Sequence, residues 1–209
     1  MTASLDHIAF TCHSRASGIA AFTAATGITL PQSGTHPDMG THNALSALGP
    51  DTFLELITID PAGQKPARPR WFGLDDLPMD YPLTPHAVIL RSDDLAGDLR
   101  KGSELGLDLG TPMSLSRGNL TWKFAVRDDG KIHQNGTAPL LMQWDAIDPH
   151  PAANMTDHGL RLKSISVTTP EPEKLSQLCA ALGWSDLTVL KGAPSWTFTL
   201  DINGKEVAL

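Results

Sequence analysis

Apolar and polar positions alternate in short β-branched runs along this chain, and those runs are interleaved with segments whose apolar residues recur at helical spacing. "LDHIAFTC" (Leu5–Cys12) and "TPHAVILR" (Thr84–Arg91) read as strands that each open on a histidine. From His7, "HIAFTCHSRASGIAAFTAATGITL" lies without a gap on "HAVILRSDDLAGDLRKGSELGLDL" from His86. His7 falls on His86, Gly18 on Gly97 and Gly27 on Gly106. Each copy predicts a strand, a cap residue (Ser14, Ser92), and a short amphipathic helix. Each helix stops at a glycine able to take the left-handed cap conformation. Further strands follow, ending in "DTFLELITID" in the first copy and "APLLMQWDAID" in the second.

A weaker third copy starts at "LKSISVTTPEPEKLSQLCAALGW", with Ser164 in the place of His7. It ends in "PSWTFTLDINGKEVAL", which predicts a hairpin turned at Asn203–Gly204. Pro-rich joins separate the copies. The expected organisation is a first βαβββ module over 1–60, a linker over 61–84, a second module over 85–148, a linker over 149–161, and a third, partial module over 162–209. The first linker is long enough for a lid or short helix around "RWFGLDDL". A repeat of one strand, one helix and further strands buries both faces of its sheet only when units pair. The fold class expected is therefore α+β, with paired βαβββ modules forming a cup-shaped mixed sheet.

With 209 residues and 41% hydrophobic content the chain can bury a real core. A net charge of −7 and no cluster of Lys and Arg argue against a nucleic-acid surface, so no nucleic-acid partner is expected. The N-terminal residues lack a basic segment followed by a long apolar run, and no stretch nears the roughly 18 apolar residues of a membrane span. The expectation is a cytoplasmic protein with a small-molecule partner and no membrane. Cys12 and Cys179 are too few for a disulfide framework or a Cys-based zinc site and read as core thiols. No dinucleotide fingerprint, P-loop or nucleophile elbow occurs.

The motifs "LDHIAF", "HPDMGTHNALSALG" and "TFLELI", followed by Arg117, Trp122 and "MQWD" (Met142–Asp145), resemble the glyoxalase-like domain group of the vicinal oxygen chelate superfamily. That resemblance implies the cup fold and, as the leading activity, a metal-dependent lyase or isomerase. Such an enzyme would act on a small α-oxo or α-hydroxy compound held through two oxygens on a divalent ion (Zn, Ni, Fe or Mn). It leaves two alternatives: a metal-free binding protein of the bleomycin-resistance type, and an extradiol-type dioxygenase. A homodimer is among the assemblies this fold allows.

Alternation along the strands gives the candidate ligands. Leu5, His7, Ala9 and Thr11 share one face, as do His86, Val88 and Leu90, then Phe53, Glu55 and Ile57, and finally Leu141, Gln143 and Asp145. If these faces line the cup, His7, Glu55, His86 and Gln143 form a metal set. An ion bound by two imidazoles would then offset the cost of a carboxylate among Phe53, Leu54, Leu56 and Ile57. Gln143 stands where the resembled glyoxalases carry Glu, so Glu55 is the one candidate base. His36, Thr41 and Asn43 are candidate polar contacts to substrate, with Trp122 as cup wall. Arg117 is the candidate anchor for a carboxylate or phosphate, because a guanidinium offers a two-pronged fork. His13, His133, His150 and His158 read as surface residues.

Overall fold

The computed structural model describes residues 3–146 and 148–209; Met1, Thr2 and Ile147, which fall inside the expected modules, lie outside the described residues. The first unit runs β1 (Ser4–Thr11), α1 (Arg15–Thr26), β2 (Gln32–His36), β3 (Thr41–Ala47) and β4 (Phe53–Ile59). The second runs β5 (Thr84–Arg91), α2 (Leu95–Glu104), β6 (Thr111–Arg117), β7 (Leu120–Val126), a single helical turn α3 (His133–Gly136), and β8 (Leu140–Trp144). Their strands join in one mixed sheet of order β2-β3-β4-β1-β5-β8-β7-β6, with β1 and β5 antiparallel at the seam between the units. The sheet curls until its two edges meet: Arg117 at the end of β6 lies against Gly34 on β2.

Helix α1 starts where Ser14 accepts the Ser17 N–H and ends at Gly27 in the left-handed conformation, as its sequence predicts. Helix α2 starts two residues later than expected. Its cap is Asp94, which accepts the Gly97 N–H, while Ser92 donates instead to the Asp98 carboxylate at 2.5 Å.

The third unit also has one strand, one helix and three further strands. It comprises β9 (Leu160–Thr169), α4 (Pro172–Leu182), β10 (Thr188–Lys191), β11 (Ser195–Ile202) and β12 (Lys205–Ala208) in a separate sheet of order β10-β9-β11-β12. It is not a copy of the other two, because β9 sits inside its sheet and not beside the last strand. The hairpin turns at Asn203 (φ 53°) and Gly204 (φ 87°), the two left-handed positions of a tight hairpin turn.

This second sheet covers the outer face of the seam. Ile8, Phe10, Val88 and Leu90 point outward and share one core with Ile165, Phe198 and Leu200, and the Phe10 and Phe198 rings meet edge to face at 5.4 Å. A second core fills the concave side around Ala9, Ile57, Ala87, Ile89, Phe124 and Met142. The first linker supplies a plug to that side. Its 3₁₀ segment Trp71–Asp76 buries Trp71, Phe72 and Leu74. Phe72 has φ 59°, a conformation that costs a residue with a side chain ~1–2 kcal/mol. No helix among the described residues is long and apolar enough to cross a membrane.

Two bulges in the seam decide which side chains enter the cup. Along β1 and β5, Leu5 pairs with Leu90 and His7 with Ile89, so Asp6 is an extra residue. Likewise Ala9 pairs with Ala87 and Phe10 with Pro85, so His86 is the extra residue on the other strand. One inserted residue reverses alternation. Ala87 and Ile89, and not Val88 and Leu90, therefore face inward, and Leu5 leaves the face of His7 to pack in the outer core. In β8 the inward residues are Leu140, Met142 and Trp144, and Leu141 and Gln143 face the helices.

Candidate functional site

The concave face holds a cavity of about 40 Å³ lined by His7, His36, Asn43, Glu55 and Arg117 with apolar walls that include Phe53, Phe72, Trp122 and Met142. Strand β1 carries His7, β4 carries Glu55 two residues from Phe53, and β3 delivers Asn43 directly across from Ile57. The Phe53 ring stacks on His7 at 4.3 Å and 14°, which fixes the imidazole plane.

His7 sits between two carboxylates. Its Nδ1–H donates to Asp6 Oδ1 at 2.7 Å, and Nε2 faces Glu55 Oε2 at 3.5 Å. Glu55 Oε1 accepts the Asn43 amide N–H at 2.7 Å. Asp6 is fully buried, and its other oxygen accepts the indole N–H of Trp144 (2.7 Å) and Nε2–H of His150 (3.1 Å). The His150 tautomer follows from Ala152, whose backbone N–H donates to Nδ1 and leaves the proton on Nε2.

These contacts set the charges. Burial alone would keep His7 neutral, but hydrogen bonds and charge from Asp6 and Glu55 outweigh it and hold the imidazole up at about 9. Burial disfavours the Glu55 carboxylate too, yet the contacts with His7, its positive charge, and the Asn43 donor bring it below the usual range. Asp6 lies well below it, since donors from His150, His7 and Trp144 overcome its burial. At neutral pH the centre is therefore a protonated imidazole flanked by two carboxylates.

His36 behaves oppositely. Burial, reinforced by the positive charges of Arg117 and His7 against the pull of Glu55, pushes it down to about 4 and keeps it neutral. Thr41 Oγ1 accepts the Trp71 indole N–H at 3.2 Å and lies 3.1 Å from His36 Nδ1.

The candidate metal set does not converge. His7 and Glu55 come together, but His86 is the bulge residue, with Nε2 2.7 Å from the Phe72 carbonyl. Gln143 lies on the opposite face of the sheet, where its Oε1 accepts the first N–H of α2, from Leu95, at 3.2 Å. Among the described residues no group of three or more His, Cys, Asp or Glu side chains is arranged to hold a metal ion. The residues present do not fit the four-ligand set.

His36, Asn43, Arg117 and Trp122 line the cavity, and Thr41 supports His36 from behind. Reading the sequence missed Asp6 and His150. Asp6 carries a signal, a carboxylate directly preceding an inward histidine. His150 carries none, since its partner is 144 residues away, and it is buried, not on the surface.

Fold and site together define a cup built from two fused βαβββ units that encloses a small, polar-floored cavity. Residues 5–183 match the family described as "Glyoxalase-like domain", and the chain belongs to that family and, through it, to the vicinal oxygen chelate superfamily. No curated protein matches the chain. Among solved structures it is similar to a hypothetical protein from Staphylococcus aureus, at 12% identity over 98% of this chain and 97% of that one, with a TM-score of 0.62. It is also similar to the Mn(II)-bound glyoxalase from Novosphingobium aromaticivorans, at 10% identity over 93% of this chain and 64% of that one, with a TM-score of 0.52. At such identities the likeness is one of fold.

Proposed function

We propose that this glyoxalase-like protein is a proton-transfer enzyme, of isomerase or lyase type, acting on a small α-oxo or α-hydroxy compound with Glu55 as the base. One observation carries the reading: the buried Glu55 carboxylate is held ionised at the floor of a cavity, with His7 3.5 Å away, Asn43 at 2.7 Å and the Arg117 guanidinium lining the same space. A buried carboxylate is costly, and here the surrounding donors keep it charged and aimed. In the proposed step Glu55 takes the proton from the carbon beside the substrate carbonyl. The C–H electron pair forms the C=C bond while the carbonyl π pair moves onto oxygen, and positive charge at the cavity wall stabilises the resulting enolate. Delivery of the proton to the adjacent carbon, or to the opposite face of the same carbon, completes an isomerisation without net oxidation or reduction. No step is routed through a metal, because His86 and Gln143 are engaged elsewhere.

Isotope exchange tests this step whatever the final product is. Chelator-treated protein is incubated in D₂O with a panel of short α-oxo and α-hydroxy compounds, and deuterium entry at the carbon is followed by NMR. Wild type is expected to exchange at least one of them and Glu55→Gln none, since a carboxamide has no basic site at neutral pH. Exchange that persists in Glu55→Gln, or that appears only when a divalent ion is added, would overturn the proposal.

A further inference from the structure

Two polar groups in the cavity remain without protein partners after the acid–base centre has been assembled. Among the described residues no carboxylate pairs with Arg117, although its charge is felt at His36. The second is Asn43 Oδ1. Asn43 is only 2% exposed, and this carbonyl oxygen has no hydrogen-bond partner in the protein. Its orientation is not arbitrary. Glu55 can only accept, so the amide nitrogen must face it, and the oxygen is forced to the other side.

Gly34 brings the two groups together. A Cβ built on Gly34 would collide with the Arg117 guanidinium and would lie 3.1 Å from Asn43 Oδ1. The bare Gly34 backbone is thus what lets the guanidinium settle beside the orphaned carbonyl. It forms a pair of opposite demands: a fork that seeks an anion and, next to it, a buried acceptor that seeks a donor.

We infer that the ligand is a short 2-hydroxy carboxylate, its carboxylate on Arg117 and its hydroxyl donating to Asn43 Oδ1, with Gly34 as the residue that positions Arg117. The geometry then supplies the alignment. The Asn43 amide binds the ligand with one end and Glu55 with the other, so the carbon bearing the hydroxyl is brought next to the base. The cavity is small, about 40 Å³, which restricts the acid to a short chain. This inference rests on the proton-transfer reading only for what happens after binding.

Binding to the wild-type protein is therefore measured directly, by calorimetry and ligand-observed NMR, with 2-hydroxypropanoate, propanoate and propane-1,2-diol. The hydroxy acid is expected to bind at least about tenfold more tightly than propanoate, which leaves the buried Asn43 carbonyl unpaired, and than the diol, which leaves Arg117 unpaired. Gly34→Ala is expected to weaken the hydroxy acid at least about tenfold by displacing the guanidinium. Arg117→Lys should bring the hydroxy acid close to the diol, because a point charge replaces the fork. Equal affinity for hydroxy acid and propanoate, equal affinity for hydroxy acid and diol, or no binding by any of the three would overturn the inference. Selective binding with no deuterium exchange would leave it standing and sink the proton-transfer reading instead.

Discussion

Removing the charge of Asp6 should both destabilise the protein and abolish a slope in its pH–stability curve. His7 is held up at about 9 in the folded state against an ordinary 6.5, so the folded state keeps a proton that the unfolded chain releases above 6.5. The stabilisation is fully present below pH 6.5 and is lost as the pH rises through 9. Within that window the slope is about −1.4 kcal/mol per pH unit, so wild type is expected to lose about 2 kcal/mol between pH 7 and 8.5. On the acid side His36, pushed down to about 4, acts in the other sense: its contribution is present above 6.5 and is lost as the pH falls towards 4. Stability is expected to peak near pH 6.5.

In Asp6→Asn the strongest support for the His7 proton is gone, and the carboxamide presents an N–H to one of three side chains that all donate to Asp6, namely His7, Trp144 and His150. Breaking a buried, hydrogen-bonded charge pair costs ~3–5 kcal/mol, and the alkaline slope should largely vanish with it. Urea denaturation from pH 5 to 9 gives both quantities, and the His7 ring proton followed by NMR gives the titration itself. His7→Gln, which removes the titrating group, should lack the slope as well. A wild-type curve that is flat from pH 7 to 8.5, or an equal fall in both variants, would refute the reasoning.

Gln143→Ala should cost ~1 kcal/mol through loss of the bond to the first N–H of α2, while deuterium exchange and any bound-metal content stay unchanged, as checked by denaturation, NMR and elemental analysis. Phe198→Ala should cost ~3–5 kcal/mol in the same denaturation assay, because Phe198 is fully buried where the second sheet seals the β1/β5 seam.

Local patterns determined the elements of this protein. Period-2 runs, helical spacing and stop glycines located the strands and the three main helices. The repeat located the fused pair of units, and Asn203–Gly204 located the last hairpin, because each signal acts over a few neighbouring residues. His7, Glu55, Asn43 and Arg117, which line one cavity, were also legible, as side chains of ligand or anchor type on or beside strand patterns. Tertiary structure decided which faces meet. The gapless match of His7 to His86 conceals two bulges that exist only in the pairing of β1 with β5, so Ala87 and Ile89 face the concave core while His86, the extra residue of one bulge, is engaged by the Phe72 carbonyl. Gln143 follows the register of β8 to the helix side. The support of His7 by His150 joins residues near opposite ends of the eight-stranded sheet's chain through one buried carboxylate, and no local pattern encodes a contact of that range. A strand's periodicity fixes which residues share a face; only its pairing with neighbours fixes where that face points.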